Sequence, residues 1–334
     1  MTNKERVIAA INFKKPDYTP HNIDFTSPMY DIMVKHTGNP NYKDTINNHM
    51  TVCLLVKPDE EIKPGYFKDE FGVVWNRSGA DKDIGVIDSV LLEDPEDLDT
   101  YEFPPIDEAF IRSKLEELEE SNDDNFKVAA IGFSLFERAW TLRGMEDLLC
   151  DMIVDPDFVN KLFDKITKRL LQILDIALEY DFDCFHFGDD WGQEKGLIMG
   201  PVAWRTFIKP RLAKLYDRVH KAGKYVSQHS CGDLRDVMDD LHEIGLNIYQ
   251  TFQPEIYGYD YAEKLYGKIT VWGGVSTQRA LPMKSPEEIM DITREMLSHF
   301  KDGGLIAAPT HSVPHDVPPE NIEAMLRVFK EGKM

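Results

Sequence analysis

Eight short apolar runs recur along the chain: YTPHNIDF at 18–25, MTVCLLV at 50–56, FKVAAIGFS at 126–134, DCFHFG at 183–188, KYVSQHS at 224–230, LNIYQTF at 246–252, KITVWGGV at 268–275 and GLIAAPT at 304–310. Between most of them lie longer helical patterns, among them PDFVNKLFDKITKRLLQILDIALEY, PVAWRTFIKPRLAKLYDRVHKAG, LRDVMDDLHEIG and SPEEIMDITREMLSHFKDGG. Each is preceded by a capping residue or proline, or closed by a glycine, as helices are. Strand-length runs alternating with helices imply crossover connections, and therefore a parallel sheet. Eight such units predict an α/β fold closed as a (β/α)8 TIM barrel. A chain of 334 residues suits one barrel domain over 1–334.

The segment 57–107 breaks this rhythm. FGVVWNRSGADKDIGVIDS reads as a β-hairpin with a long polar turn, and the acidic, proline-punctuated LEDPEDLDTYEFPPID follows it. The expectation is an excursion over the barrel mouth or flank, carried within the same domain.

The 59 acidic and 38 basic residues give a formal net charge of -21. Such a charge argues against nucleic acid or an anionic membrane as the main partner. No run of about 18 apolar residues is present, and the start, MTNKERVIAAINFKKPD, lacks the apolar core of a signal peptide. A cytoplasmic protein is expected. Cys53, Cys150, Cys184 and Cys231 are too dispersed for a disulfide framework. The first three sit in apolar runs and read as buried thiols, whereas Cys231 stands in the polar run HSCGDL.

In a barrel of this kind the chemistry gathers at the carboxyl ends of the strands. The residues there are Asn22 and Asp24, Phe136 and Glu137, Asp189, Asp190 and Trp191, His229 and Cys231, Gln253, Ser276 and Gln278, and His311. A catalytic zinc takes three ligands from His, Cys and carboxylate and keeps a fourth position open. His229 and Cys231 form a His-x-Cys pair on one strand end, and His311 leaves the last strand at the same mouth, with His315 as its rival. The bare pair also fits a hydrogen-bonded histidine beside a packed thiol, or a cysteine nucleophile with its base. Phe136, Trp140 and Trp191 are candidates to wall a flat pocket. Asp190, with Asp189 beside it, is placed to support His229, to act on a substrate or to ligate the metal; helix capping is the alternative. Asn22, Asp24 and Gln253 are substrate-binding candidates by position. His186, inside DCFHFG, reads as an interior histidine.

The run FDCFHFGDDWGQEKGLIMGPVAWRTFIKPRLAKLYDRVHKAGKYVSQHSCGDL resembles the central region of the uroporphyrinogen decarboxylase-like superfamily, and APTHSVPHDVPPENIEAM resembles its carboxyl-terminal signature. AAIGFSLFERAWTLRGMEDLL and WGGVS match as well, so the resemblance covers most of the chain and is weakest over 26–120. It too implies a (β/α)8 barrel. Decarboxylases of that superfamily hold the tetrapyrrole carboxylates with an arginine-rich loop, whereas the corresponding stretch here, HNIDFTSPMYDIM, has no arginine. The other branch comprises zinc methyltransferases that exchange a methyl group with a corrinoid protein, binding zinc through His-x-Cys and a later cysteine. His229 and Cys231 match that pair, and His311 stands in place of the later cysteine.

A neutral imidazole in place of a thiolate raises the formal charge of the ion and its three ligands from zero to plus one, which favours Lewis acidity over thiol activation. The resemblance then implies a methyl ether:corrinoid protein methyltransferase of the anaerobic O-demethylase type. His229, Cys231 and His311 would be the zinc ligands, Asp190 and His311 the catalytic groups. A methoxylated aromatic would be the small-molecule substrate, and cobalamin on a separate corrinoid protein the methyl acceptor. Transfer from a methyl-corrinoid to a thiol, tetrapyrrole decarboxylation and a non-catalytic zinc-stabilised docking barrel are the alternatives.

Overall fold

The structure is a computed structural model and describes residues 1–79, 85–121 and 123–331. Seven of the apolar runs form strands: β1 Met50–Leu54, β2 Phe126–Ile131, β3 Cys184–Gly188, β4 Tyr225–His229, β5 Ile248–Phe252, β6 Thr270–Val275 and β7 Leu305–Pro309. Each pairs in parallel with its neighbours in sequence, giving one curled sheet in chain order.

The expected first strand is not a strand. Residues 18–25 meet the last strand through one isolated bridge, His21 to Ala307, and the loop after it through another, Phe25 to Val313. On the other side His49 N–H donates to the His21 carbonyl at 2.9 Å. The segment thus lies between the two edges of a TIM-like sheet without completing an eight-stranded barrel. Two local causes stop the ladder. Pro20 has no N–H to donate. The amide of Asn48 takes both backbone groups of Ile23, accepting from its N–H at 2.9 Å and donating to its carbonyl at 2.9 Å.

Helices cover the outside of the sheet. Pro156–Ala177 starts where the Asp155 carboxylate accepts the Phe158 N–H at 3.1 Å, with proline at the first helical position. Phe158, Leu162, Phe163, Ile166, Leu170, Ile173 and Leu174 then recur at helical spacing and are all buried. The final helix, Pro319–Glu331, is tied down by Asn321, whose amide donates to the carbonyls of Leu281 and Lys284 at 2.7 and 2.8 Å. No helix among the described residues is long and apolar enough to cross a membrane.

The excursion holds more structure than a hairpin. Val74–Asn76 pairs with Val86–Ser89 as expected, and Glu60–Lys63 and Tyr66–Lys68 add two strands to make a four-stranded antiparallel sheet. Glu60–Lys63 is exposed along its whole length, so it carries no alternating apolar signal. Part of the expected polar turn, residues 80–84, lies outside the described residues. Phe71, Val73 and Trp75 join the apolar cluster that packs the main sheet's helices. Below them Arg138 pairs with Asp69 at 2.6 Å and lies 3.9 Å over the Phe71 ring.

Of the thiols read as buried, Cys184 is buried and Cys53 half-buried. Cys150 is exposed, because Met145–Val154 turns Leu148, Asp151 and Met152 inward instead.

Asn48→Ala should cost about 1–3 kcal/mol, the usual range for deleting partly buried hydrogen bonds. Hydrogen exchange should show faster amide exchange at Ile23 and its neighbours, with strands β2 to β6 unchanged.

Candidate metal and substrate site

β4 carries His229 to its carboxyl end, and the chain turns sharply two residues later. Gly232 permits that turn with φ +84°; a Cβ there would stand 2.2 Å from the Gly192 carbonyl carbon. The close approach packs the loop after β4 onto the loop after β3 and leaves Cys231 facing the mouth. This is why a buried strand ends in His-Ser-Cys-Gly: the strand delivers the histidine, and the glycine lets the thiol turn back beside it.

Cys231 Sγ lies 3.7 Å from His229 Nε2. With zinc bonds of about 2.3 Å to sulfur and 2.0–2.1 Å to nitrogen, a tetrahedral ion sets such atoms about 3.6 Å apart. The ligand atoms of His229, Cys231 and His311 all lie within 4.8 Å of one another. His311 crosses His229 edge to face at 5.6 Å between ring centroids. His315 is not part of this cluster. Two nitrogens and one sulfur with room for a fourth group make a donor set suited to zinc.

The groups behind the cluster fix its orientation. His229 Nδ1 donates to the side-chain oxygen of Gln250, which leaves the Nε2 lone pair facing the mouth. Asp190 Oδ1 stands 3.3 Å from His229 Nε2 and accepts the Cys231 N–H at 2.7 Å. Burial works against a charged His229, but Asp190 and Cys231 together raise its pKa well above the ordinary value. The cluster thus draws a proton to the point where the ligand atoms converge, and a cation bound there would displace it. His311 is pushed the other way, by burial and then by the charge of His229. Burial also opposes ionisation of Asp190, yet His229 and the Cys231 N–H hold its carboxyl below the usual carboxylate range.

Asp189 caps a helix, though not the one that follows it. Its carboxylate accepts the N–H groups of Phe136 and Glu137 at 2.9 and 2.8 Å, at the start of Phe136–Arg143, and the Trp191 indole N–H at 2.6 Å. Burial pushes it above the usual carboxylate range, against those three donors. Glu137 is pushed well above the usual carboxylate range by burial and then by Asp189 and Asp190.

A cavity of about 460 Å³ opens beside His311. Asn22, Asp24, His186 and Gln250 line it with Met50, Val52 and Leu54 from β1 and Trp272 from β6. Asn22 and Asp24 thus line this cavity, although the segment that carries them is not a strand. Phe136 and Trp191 are fully buried, and Trp191 packs against Trp204 at 5.5 Å. Trp140 packs against Trp75 and Phe133. The aromatic wall of this cavity is Trp272 instead. Gln253 accepts the Gly232 N–H at 2.8 Å and lines a second cavity of about 240 Å³, on the Cys231 side, with Gln278 and Arg279. Ser276 accepts the Arg279 N–H at 2.9 Å. His186 Nδ1 meets the Ser227 hydroxyl at 2.9 Å inside the sheet.

Gln250 was the group the sequence did not single out. Its signal was one polar residue in the apolar strand LNIYQTF, and only pairing to β4 shows what it serves.

A parallel curled α/β sheet with its polar groups at the strand carboxyl ends defines the class. The sequence profile of the family described as Uroporphyrinogen decarboxylase (URO-D) matches residues 79–332, more than half of the chain. The chain belongs to that family. Among solved structures it is similar to a methyltransferase from Methanosarcina mazei, with 16% identity, coverage of 100% of both chains and a TM-score of 0.72. It also matches a B12-independent methionine synthase from Shewanella sp. W3-18-1, at 11% identity over 97% of this chain and 95% of that one, with a TM-score of 0.45. No curated protein sequence matches.

Two measurements check this geometry. Gly232→Ala should lower unfolding free energy by about 2–4 kcal/mol in denaturant titration, since a Cβ meets backbone at a positive φ. It should also displace Cys231 from the side of His229. His186, held neutral with its pKa lowered to about 3 chiefly by burial, takes a proton in the unfolded chain before it does in the folded one. Stability should therefore fall as pH drops below the unfolded value of about 6.5, by up to about 1.4 kcal/mol per pH unit from this group. His186→Gln should flatten that limb of the stability curve.

Proposed function

We propose that the protein is a zinc-dependent methyltransferase that moves a methyl group from an aromatic methyl ether to the corrinoid of a separate protein. The observation that carries this reading is the convergence of His229, Cys231 and His311 within 4.8 Å at the mouth of the sheet. Membership of the family supports an enzyme of this fold, and the M. mazei methyltransferase shares the fold over its whole length.

His229, Cys231 and His311 would hold the ion, and when bound it would supply a Lewis acid for the oxygen that loses its methyl group. The C–O bond breaks with its electron pair left on oxygen, and the methyl carbon passes to reduced cobalt. The protein's own groups arrange this. Gln250 sets the His229 tautomer, and Asp190 braces both His229 and the Cys231 backbone. Asn22, Asp24 and the apolar side chains of β1 shape the cavity in which the ether lies. Two imidazoles and one thiolate leave the site more positive than two thiolates and one imidazole would, which suits a leaving oxygen better than an incoming thiol.

Methyl transfer from a panel of methoxyphenols and methoxybenzoates to cob(I)alamin, or to a corrinoid protein, tests the reading alongside zinc analysis. One zinc per chain is expected in the wild type. Cys231→Ala and His311→Ala should lose zinc and drop ether-dependent transfer by roughly 10²-fold or more, the scale of a Lewis acid's several kcal/mol. A metal-free active protein, or faster transfer from methylcobalamin to a thiol than from any ether, would contradict it.

A further inference from the structure

A cavity of about 300 Å³ lies between the antiparallel sheet of the excursion and the carboxyl ends of β1 and β2. Leu54, the last residue of β1, lines both this cavity and the 460 Å³ cavity beside His311, and it remains 54% exposed. The two spaces therefore meet at one apolar side chain. Val56, Trp75 and Phe133 complete the apolar lining. Trp75 and Phe133 stand edge to face at 5.7 Å between ring centroids. Phe133 holds φ +50°, a left-handed conformation that bulky residues rarely adopt and that persists only where the surroundings over-determine it.

The charges in the lining answer one another. Asp69 pairs with Arg138 at 2.6 Å, Asp59 with Arg77 at 2.5 Å and Glu70 with Arg169 at 3.2 Å. An ionic ligand would have to compete with these pairs, so the cavity suits an uncharged, apolar group. Its size agrees, since an apolar cavity of about 150 Å³ already holds benzene. The space stays open at Gly132, just past the end of β2. The φ of Gly132 lies outside the left-handed region, so its backbone does not require glycine, and a Cβ there would meet nothing within 4 Å. What the missing side chain supplies is room.

We propose that this cavity is a second, apolar subsite, which takes an uncharged alkyl chain of a substrate whose ether end lies beside His311. Gly132 is then the position that sets how large the chain can be. This rests on the reading of the His311 cavity as the ether site. Each methylene buried here strengthens binding until the space is filled. A charge carried on the same chain loses its water and finds only partners that are already paired.

Calorimetric binding of methoxybenzene, 1-methoxy-4-propylbenzene and 3-(4-methoxyphenyl)propanoate to the purified protein tests this without any methyl transfer. The wild type should bind the propyl ether at least about tenfold more tightly than methoxybenzene, which is about 1.4 kcal/mol. The propanoate should gain no more than about twofold. Gly132→Leu, which fills the space, should bring the propyl preference to within about twofold. Gly132→Ala should remove part of it, which keeps the test open if leucine perturbs the fold. Unchanged circular dichroism and thermal unfolding would show each variant intact. Equal binding of the two uncharged ethers by the wild type, no binding of either, a propanoate that matches the propyl ether, or a propyl preference that survives an intact Gly132→Leu would overturn the proposal. If the preference is found and is lost on filling the space, yet no ether yields its methyl group to cobalt, the subsite stands and the demethylase reading alone fails. Ether-dependent methyl transfer without a propyl preference sinks the subsite alone.

Discussion

The register in which β4 lies between β3 and β5 is the constraint on which the mouth depends. His229 stands opposite Gly188 on one side and Gln250 on the other. Backbone bonds extend that register past the strand ends, from Asp189 N–H to the His229 carbonyl at 3.1 Å and from Ser230 N–H to the Gln250 carbonyl at 2.7 Å. Because side chains alternate between faces, a slip of one residue would turn His229 away from Gln250. It would also carry Asp190 off the Cys231 N–H. The electrostatics follow from this one alignment: the acid that raises His229 lies just past the end of β3, and the amide that sets its tautomer is its neighbour on β5.

Around that alignment the protein separates tasks between adjacent residues. Asp189 points inward, where three N–H donors partly offset its burial and it secures the helix that begins at Phe136. Asp190 points to the mouth and braces the candidate ligands. Trp191 packs beneath both, its indole bound to Asp189. A run that reads as three equivalent polar or aromatic candidates in the sequence is thus divided into a cap, a brace and a packing group by the course of the chain just past the end of β3.

Much of this was legible in the sequence, for identifiable reasons. Strands buried on both faces leave continuous apolar runs, so β2 to β7 are visible, and β1 shows as an apolar run although Val52 and Leu54 are exposed. His-x-Cys and His311 were recognisable because strand ends in such a fold share one mouth. Residues 18–25 look like the other runs, but Pro20 and the side chain of Asn48 replace the ladder there, and a side chain 25 residues away leaves no local trace. The exposed strand Glu60–Lys63 had no periodicity to read. Phe136 and Trp191 sit near strand ends yet face the core, and sequence position alone does not distinguish an aromatic that walls a cavity from one that packs under it.

The central claim is that two imidazoles and one thiolate form a single metal centre at the end of β4 and β7. X-ray absorption at the zinc edge of the purified protein measures that donor set directly. The account predicts one sulfur at about 2.3 Å, two imidazole nitrogens at about 2.0–2.1 Å and one further light atom. A spectrum with two or more sulfurs, one with none, or a protein that binds no zinc would contradict it.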